Sequence, residues 1–147
     1  TIQTVEKLTF IEGVEPEFIT QMMPNCPIRS VSTVNALIKS QKLYKDVSYI
    51  SASNYAWFNP FWAHKVSTGN RLFSEYHEKR SQDLPDVMVP TGTIWRSSWK
   101  LLMKAKTFYS PSYKLFRVNY EEATDIDDPS DLRFAKLIHR GIYNDKS

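Results

Sequence analysis

Near the end of the 147-residue chain, Asp125, Asp127, Asp128 and Asp131 fall within seven positions, directly ahead of an apolar helical pattern. Carboxylates gathered this closely repel one another unless a cation or a proton separates them. Two chemistries suit the cluster. Asp128 stands before Pro129, and an aspartate followed by proline makes a good helix N-cap and first helical position. Acidic residues also favour the positive end of a helix. Asp125 and Asp127, in turn, sit on what reads as the end of a short extended segment. Side chains alternate along an extended chain, so the two point the same way, with Cα atoms roughly 6.5 Å apart. Such a pair suits Mg²⁺, which prefers oxygen ligands and keeps waters while substrate phosphates complete its shell. In open α/β sheets, ligands gather at the carboxyl ends of strands. Capping needs only Asp128 and Asp131 and leaves Asp125 without a role. Spacing alone leaves both readings standing.

The elements that must carry these residues are legible as an alternation. Thr1–Gly13 reads as an amphipathic helix stopped by a glycine, and Glu17–Met22 as a short strand. The loop Met23–Arg29 ("MPNCPIR") is punctuated by Pro24 and Pro27. Ser30 or Ser32 then caps a helix with Val34, Leu37 and Ile38 on its apolar face, and Val47–Ala52 reads as a second strand. Helix, strand, helix, strand argues for an α/β domain with a mostly parallel sheet. Residues 54–90 differ: they are aromatic-rich, then polar, with no clear period, and read as a two-stranded or loop-rich excursion. Thr93–Arg96 is expected as a strand, Trp99–Ala105 as a helix and Lys114–Val118 as a strand. In the last helix Leu132, Ala135, Ile138 and His139 form one stripe that Phe134 and Leu137 widen, and Gly141 is placed to end it.

Composition narrows the function classes. The content is 41% hydrophobic and 24% charged, as in an ordinary globular domain, and the length suits one domain with a real core. A net charge of +3, interleaved with acids, suits an anionic small substrate and falls far short of a nucleic-acid footprint. His64, His77 and His139 show no metal-ligand spacing. The single cysteine, Cys26, excludes an internal disulfide, suits a reducing cytoplasm and reads as a small buried filler. No apolar run is long enough for a membrane-crossing helix. Thr1–Gly13, with Glu6, Lys7 and Glu12, lacks the apolar stretch of a signal peptide, so neither feature is expected. Ile2, Val5, Leu8 and Phe10 already form a helical pattern at the first residues, as expected of a chain that has lost something upstream.

Four ordered stretches carry a more specific signal: Met23–Arg29, Arg80–Pro85 ("RSQDLP"), Thr91–Gly92–Thr93–Ile94–Trp95 followed by Phe108–Tyr109, and Thr124–Asp125–Ile126–Asp127 followed by Asp131. Together they span most of the chain. They resemble, in order, the Gln-Pro-Thr-Ser-Pro-Leu-Arg loop, the Arg-Gln-x-Leu-Pro run, the Asn-Gly-Ala-Ile-Tyr segment with its aromatic pair, and the Ser-Ile-Asp-Ile-Asp motif of acylneuraminate cytidylyltransferases. The resemblance implies a Rossmann-like nucleotidyltransferase sheet with flanking helices. It implies that a nine-carbon sugar acid attacks the α-phosphate of CTP, releasing pyrophosphate and a CMP-sugar of the kind used in cell-surface polysaccharide synthesis. Asp125 and Asp127 match the catalytic, Mg²⁺-holding aspartates. Pro24 and Asn25 fall at nucleotide-binding positions. Arg29, Arg80, Gln82, Phe108 and Tyr109 fall at sugar-binding ones, the aromatic pair packing on the N-acyl group. Residues 54–90 match the dimerisation segment, so a homodimer in the cytoplasm is expected, with no nucleic-acid or membrane partner.

The departures are specific. Met23 replaces the loop's glutamine, Thr91 the asparagine of Asn-Gly, and Ser81 one arginine of an Arg-Arg-Gln run. They bear on the identity of the sugar more than on the reaction class. The family's N-terminal strand and Arg-Gly-Gly-Ser-Lys loop, which cradle the CTP phosphates, have no counterpart here; Gly13, Gly69, Gly92 and Gly141 are the only glycines. The chain is therefore read as a single partial domain over residues 1–147. The alternative is a truncated or degenerate relative that binds a sugar acid or a partner subunit without turnover.

Overall fold

The computed structural model describes residues 1–55 and 58–144, with side chains through residue 142. Trp57, one of the clustered aromatics, lies outside the described residues. The chain folds as two compact units, Thr1–Ser53 with Pro90–Ser147, and Asn54–Val89.

In the larger unit, local signals set the helices. The first, α1 (Ile2–Glu12), ends at Gly13, whose φ of 68° is left-handed and whose N–H donates to Thr9 O. That conformation is what makes glycine the fitting residue there. Helix α2 (Val31–Leu43) is capped by Ser30, whose side chain accepts the Thr33 N–H. Ser98 does the same for α3 (Trp99–Ala105), accepting from Leu101. The last helix, α4, runs Pro129–Asn144. It passes through Gly141, so the expectation that this glycine ends it is corrected. A mid-helix glycine costs only about 1 kcal/mol, and no neighbour crowds this one. Of the expected stripe on α4, Ala135 is buried and Ile138 half-buried, while Leu132, Phe134 and Leu137 remain exposed.

The strands β1 (Phe18–Gln21), β2 (Tyr49–Ser53), β3 (Val89–Ser98) and β4 (Lys114–Arg117) form one sheet in the order β1-β3-β2-β4. β2 and β4 pair in parallel, Tyr49 opposite Lys114 and Ala52 opposite Arg117. β1 and β3 pair antiparallel, Phe18 opposite Ser98 and Gln21 opposite Trp95. The domain is thus α/β with a mixed sheet, in which the antiparallel β1–β3 pairing departs from the parallel order read from the sequence. Side-chain alternation has the same period in both pairings, so it carries no direction. The long connection before β3 also leaves that strand free to enter from either end.

Alternation distributes side chains to the two sheet faces. Ile19, Ile50, Trp99, Leu102 and Phe108 form one core cluster, against which Ile2 and Val5 of α1, Trp95 and Met103 pack. Leu37 of α2 joins Tyr49 and Ile94 in the other, with Val34, Val47 and Phe116. Each fully buried aliphatic side chain of this kind contributes about 1.5–3 kcal/mol. The sheet interior is also unusually rich in hydroxyls. Ser48 meets Ser97 at 2.9 Å and accepts from Ser110 at 3.1 Å, while Ser51 Oγ donates to Thr91 O at 2.9 Å.

The Asn54–Val89 unit holds three short 3₁₀ turns, Pro60–Trp62, Ser74–Tyr76 and Ser81–Asp83, and an isolated antiparallel bridge between His64 and Arg71. Phe61 packs edge-on to Phe73 at 5.7 Å and tilted on Tyr76 at 4.7 Å between ring centroids. Among the described residues, no helix is long and apolar enough to cross a membrane.

Candidate functional site

The Met23–Arg29 loop leaves β1 and is pinned to β3. Met23 N–H donates to Gly92 O at 3.2 Å, and Cys26 N–H closes a turn onto Met23 O at 3.2 Å. The approach is close enough to require glycine opposite: a Cβ at Gly92 would stand 2.9 Å from Met23 Cγ and 3.0 Å from Cys26 Sγ. Arg29 Nε donates to Thr93 O at 2.8 Å, and its Nη2 donates to Met23 O. Arg29 thus braces the loop by satisfying backbone carbonyls.

After β4 the chain makes a turn over Asn119–Thr124, with Glu122 and Ala123 N–H groups both donating to Asn119 O. Glu122 is only 6% exposed. Its side chain accepts the Ser30 N–H at 2.7 Å and the Thr33 hydroxyl at 2.7 and 3.0 Å, and its carbonyl accepts from Thr93 Oγ1 at 2.8 Å. The turn is thereby fastened both to the start of α2 and to β3.

The aspartates follow directly. Ile126 N–H donates to Asn25 O at 2.9 Å, joining their segment to the loop. Asp125 Oδ1 lies 3.5 Å from Cys26 Sγ, and Asp127 Oδ1 lies 3.4 Å from Asn25 Nδ2. Both side chains therefore face the same loop, although Asp125–Asp127 is irregular backbone and not the end of a strand. Both aspartates are exposed. Burial first, and then the Asp125 carboxylate, push the Cys26 thiol up to about 11. A thiol held in that form is a filler and weak donor, not a nucleophile.

Asp128 and Asp131 are differently occupied. Asp128 Oδ1 accepts N–H bonds from Ser130 at 2.6 Å and Asp131 at 3.0 Å, and accepts the Ser130 hydroxyl as well. These bonds hold its carboxyl below the usual carboxylate range, the Ser130 hydroxyl contributing most. Asp131 Oδ2 returns the favour, accepting the N–H groups of Asp127 and Asp128 at 3.0 Å each. This reciprocal arrangement is a capping box with aspartate in the usual glutamate position.

Among the described residues, no group of three or more His, Cys, Asp or Glu side chains is placed to hold a metal ion. Two carboxylates facing one loop, each with a single long contact, are oxygen donors of the kind used by a cation that keeps waters and takes further oxygens from a phosphate. The pair fits Mg²⁺ in that role and offers no closed cage.

Of the remaining expected site residues, Pro24 and Asn25 share that loop, Phe108 and Tyr109 follow α3, and Arg80 and Gln82 belong to the Asn54–Val89 unit. Pro24 is exposed and Asn25 half-buried on the same loop. Phe108 is 6% exposed, a core residue that also lines a surface pocket of about 350 Å³ with Gln3, Gln21, Trp95 and Thr107. Tyr109 is 46% exposed and packs edge-on to Trp95 and Tyr113 at 5.7 and 5.4 Å. Of the pair, Tyr109 has the surface to offer a ligand. Arg80 and Gln82 are exposed residues of the Asn54–Val89 unit, where Arg80 pairs with Asp83 at 2.8 Å. Glu122, Thr33 and Thr93 went unrecognised in the sequence. Their one signal is an acidic residue and two β-branched hydroxyls beside segments already of interest.

No protein-family model matches the chain, and comparison with curated proteins finds no match.

Proposed function

We propose that this chain is part of a cytidylyltransferase that activates a sialic-acid-like nine-carbon sugar acid with CTP, giving the CMP-sugar and pyrophosphate. The observation that carries the reading is the meeting of two segments 99 or more residues apart: the loop at Asn25–Cys26 and the aspartates at 125 and 127. These are two of the four stretches on which the family resemblance rests. In this reading Asp125 and Asp127 hold Mg²⁺, which would supply charge compensation on the phosphates. Asn25 orients Asp127, and Pro24 and Asn25 present the loop surface to the nucleotide. Arg29 fixes the loop's shape. Tyr109 offers an aromatic face to the sugar's acyl group, with Phe108 behind it as support. Arg80 and Gln82 serve the sugar, and the Asn54–Val89 unit serves a homodimer; the compartment is the cytoplasm.

A second reading is a binding-only relative. It is favoured by Arg29, whose Nε and Nη2 are spent on backbone carbonyls, and by the burial of Phe108. One assay separates the two: pyrophosphate release from CTP, Mg²⁺ and a nonulosonic acid. The synthase reading expects the complete protein, with a phosphate-cradling loop, to release pyrophosphate, Asp125→Ala to abolish that release, and residues 1–147 alone to show none. Release unchanged in Asp125→Ala would sink it, and sugar binding without release would establish the alternative.

A further inference from the structure

We propose that Glu122 is the positioning residue that holds the Asp125–Asp127 segment against the Asn25–Cys26 loop. The inference rests on the metal reading above for its consequence, but its geometry stands on its own. Three elements must keep register for the two aspartates to face that loop: the loop itself, β3 and the turn after β4. Glu122 touches all three connections. Its side-chain oxygens take the Ser30 N–H and the Thr33 hydroxyl, at the point where the loop becomes α2. Its carbonyl takes Thr93 Oγ1, and the Thr93 carbonyl in turn takes Arg29 Nε from the loop. The Ile126 N–H bond to Asn25 O lies four residues further on.

A carboxyl group buried to this degree is costly unless its oxygens are satisfied. Here they are satisfied by Ser30 and Thr33, where the loop that the aspartates face becomes α2. Alternative placements of the turn strip Glu122 of those donors, so the buried group selects one register. Ser30 Oγ accepts the Thr33 N–H, while the Ser30 backbone N–H donates to Glu122. Glu122 supplies the acceptor that comes to this junction from across the fold. Glu122 bonds neither aspartate and acts on metal affinity by fixing the segment that carries them, one step beyond the partners that bond such ligands directly.

The test follows the Ile126 amide by hydrogen exchange, with the Val118 N–H, bonded to Ala52 O at 2.9 Å, as internal reference. Mn²⁺ affinity, read by electron paramagnetic resonance, is measured alongside. In Glu122→Ala, Ile126 exchange is expected to accelerate well beyond that of Val118, and Mn²⁺ binding to weaken about tenfold. Glu122→Gln keeps an acceptor oxygen and is expected to restore both towards wild type. A role in bulk stability alone would move Ile126 and Val118 together. That outcome, unaltered Mn²⁺ affinity in Glu122→Ala, or a Gln variant no better than Ala overturns the proposal. If the Ala variant does not fold, Thr33→Val removes one donor while sparing the carboxyl group, and the same selective acceleration at Ile126 is expected. A wild-type chain that binds no Mn²⁺ counts against the metal reading, while exchange at Ile126 still decides the role of Glu122.

Discussion

Asp125 and Asp127 differ from Asp128 and Asp131 in what their oxygens already do. The second pair is spent on N–H groups at the start of α4. The first pair has one long contact each and faces solvent. Their substitutions should therefore separate function from stability. Asp125→Ala is expected to leave the unfolding midpoint nearly unchanged, because it removes no satisfied cap. Asp128→Ala is expected to lower it, because two backbone N–H groups lose their acceptor. The Asp128 effect also has a pH signature. Its folded pKa is depressed, so its contribution is complete above the ordinary value of 3.8 and fades as pH falls through the lower folded value. Denaturant unfolding of both chains should show a gap that is constant at neutral pH and closes at strong acidity. A gap that widened with acid would contradict the capping assignment. The sequence carried this cap plainly, in Asp128–Pro129. It did not say which way Asp125 and Asp127 point, because that depends on Ile126 reaching Asn25 across the fold.

At the level of elements, the helix starts are cap chemistry and the loop is backbone chemistry. Ser30→Ala and Ser98→Ala should each cost about 1 kcal/mol in chemical denaturation, the usual loss when a capping hydroxyl is removed. Gly92→Ala is a sharper probe. Its methyl group meets the base of the Met23 side chain, at Cγ and Cβ, and the fully buried Cys26 sulfur, and neither is a free end that can swing away. Overpacking of this kind costs about 1–3 kcal/mol, and here it should also push the loop away from the aspartates. A Gly92→Ala chain with wild-type stability would show that the loop moves more freely than its contacts suggest. Helices and strands were legible in the sequence because caps and periodicity are local. Strand direction was not: β1 and β3 carry the same alternation whichever way they run. Nor was the polar sheet interior, since Ser48, Ser51 and Thr93 look like surface residues until Ser97, Thr91 and Glu122 are placed beside them.

Over the whole molecule, the Asn54–Val89 unit is expected to have its own pH response. His77 packs edge-on to His64 at 4.6 Å between ring centroids, and its Nε2 is shut away from solvent without a partner. Burial first, then the charges of Arg71 and His64, lower its pKa from the ordinary 6.5. A group with a depressed folded pKa of this type favours its neutral form, so its contribution is present above 6.5 and is lost as pH falls through the folded value. Amide exchange within residues 58–89, corrected for intrinsic chemistry, should therefore show weaker protection at pH 5 than at pH 7.5, while the β2–β4 ladder is little affected. Equal loss of protection in both units would assign the response to something other than His77. This unit was read from the sequence as a two-stranded or loop-rich excursion with no clear period, and the three short turns among its described residues show why no period is visible: each is held by isolated contacts that leave no repeating pattern.

The central claim is that Asp125 and Asp127 together hold a divalent cation for phosphate chemistry. The most direct measurement is a Mn²⁺ titration, followed by electron paramagnetic resonance, of the wild-type chain, Asp125→Ala, Asp127→Ala and Asp128→Ala, with and without CTP. One site is expected in the wild type that tightens with CTP, is lost in each of the first two variants and survives in the third. Equal binding by all four chains, or no binding by any of them in the presence of CTP, would contradict it.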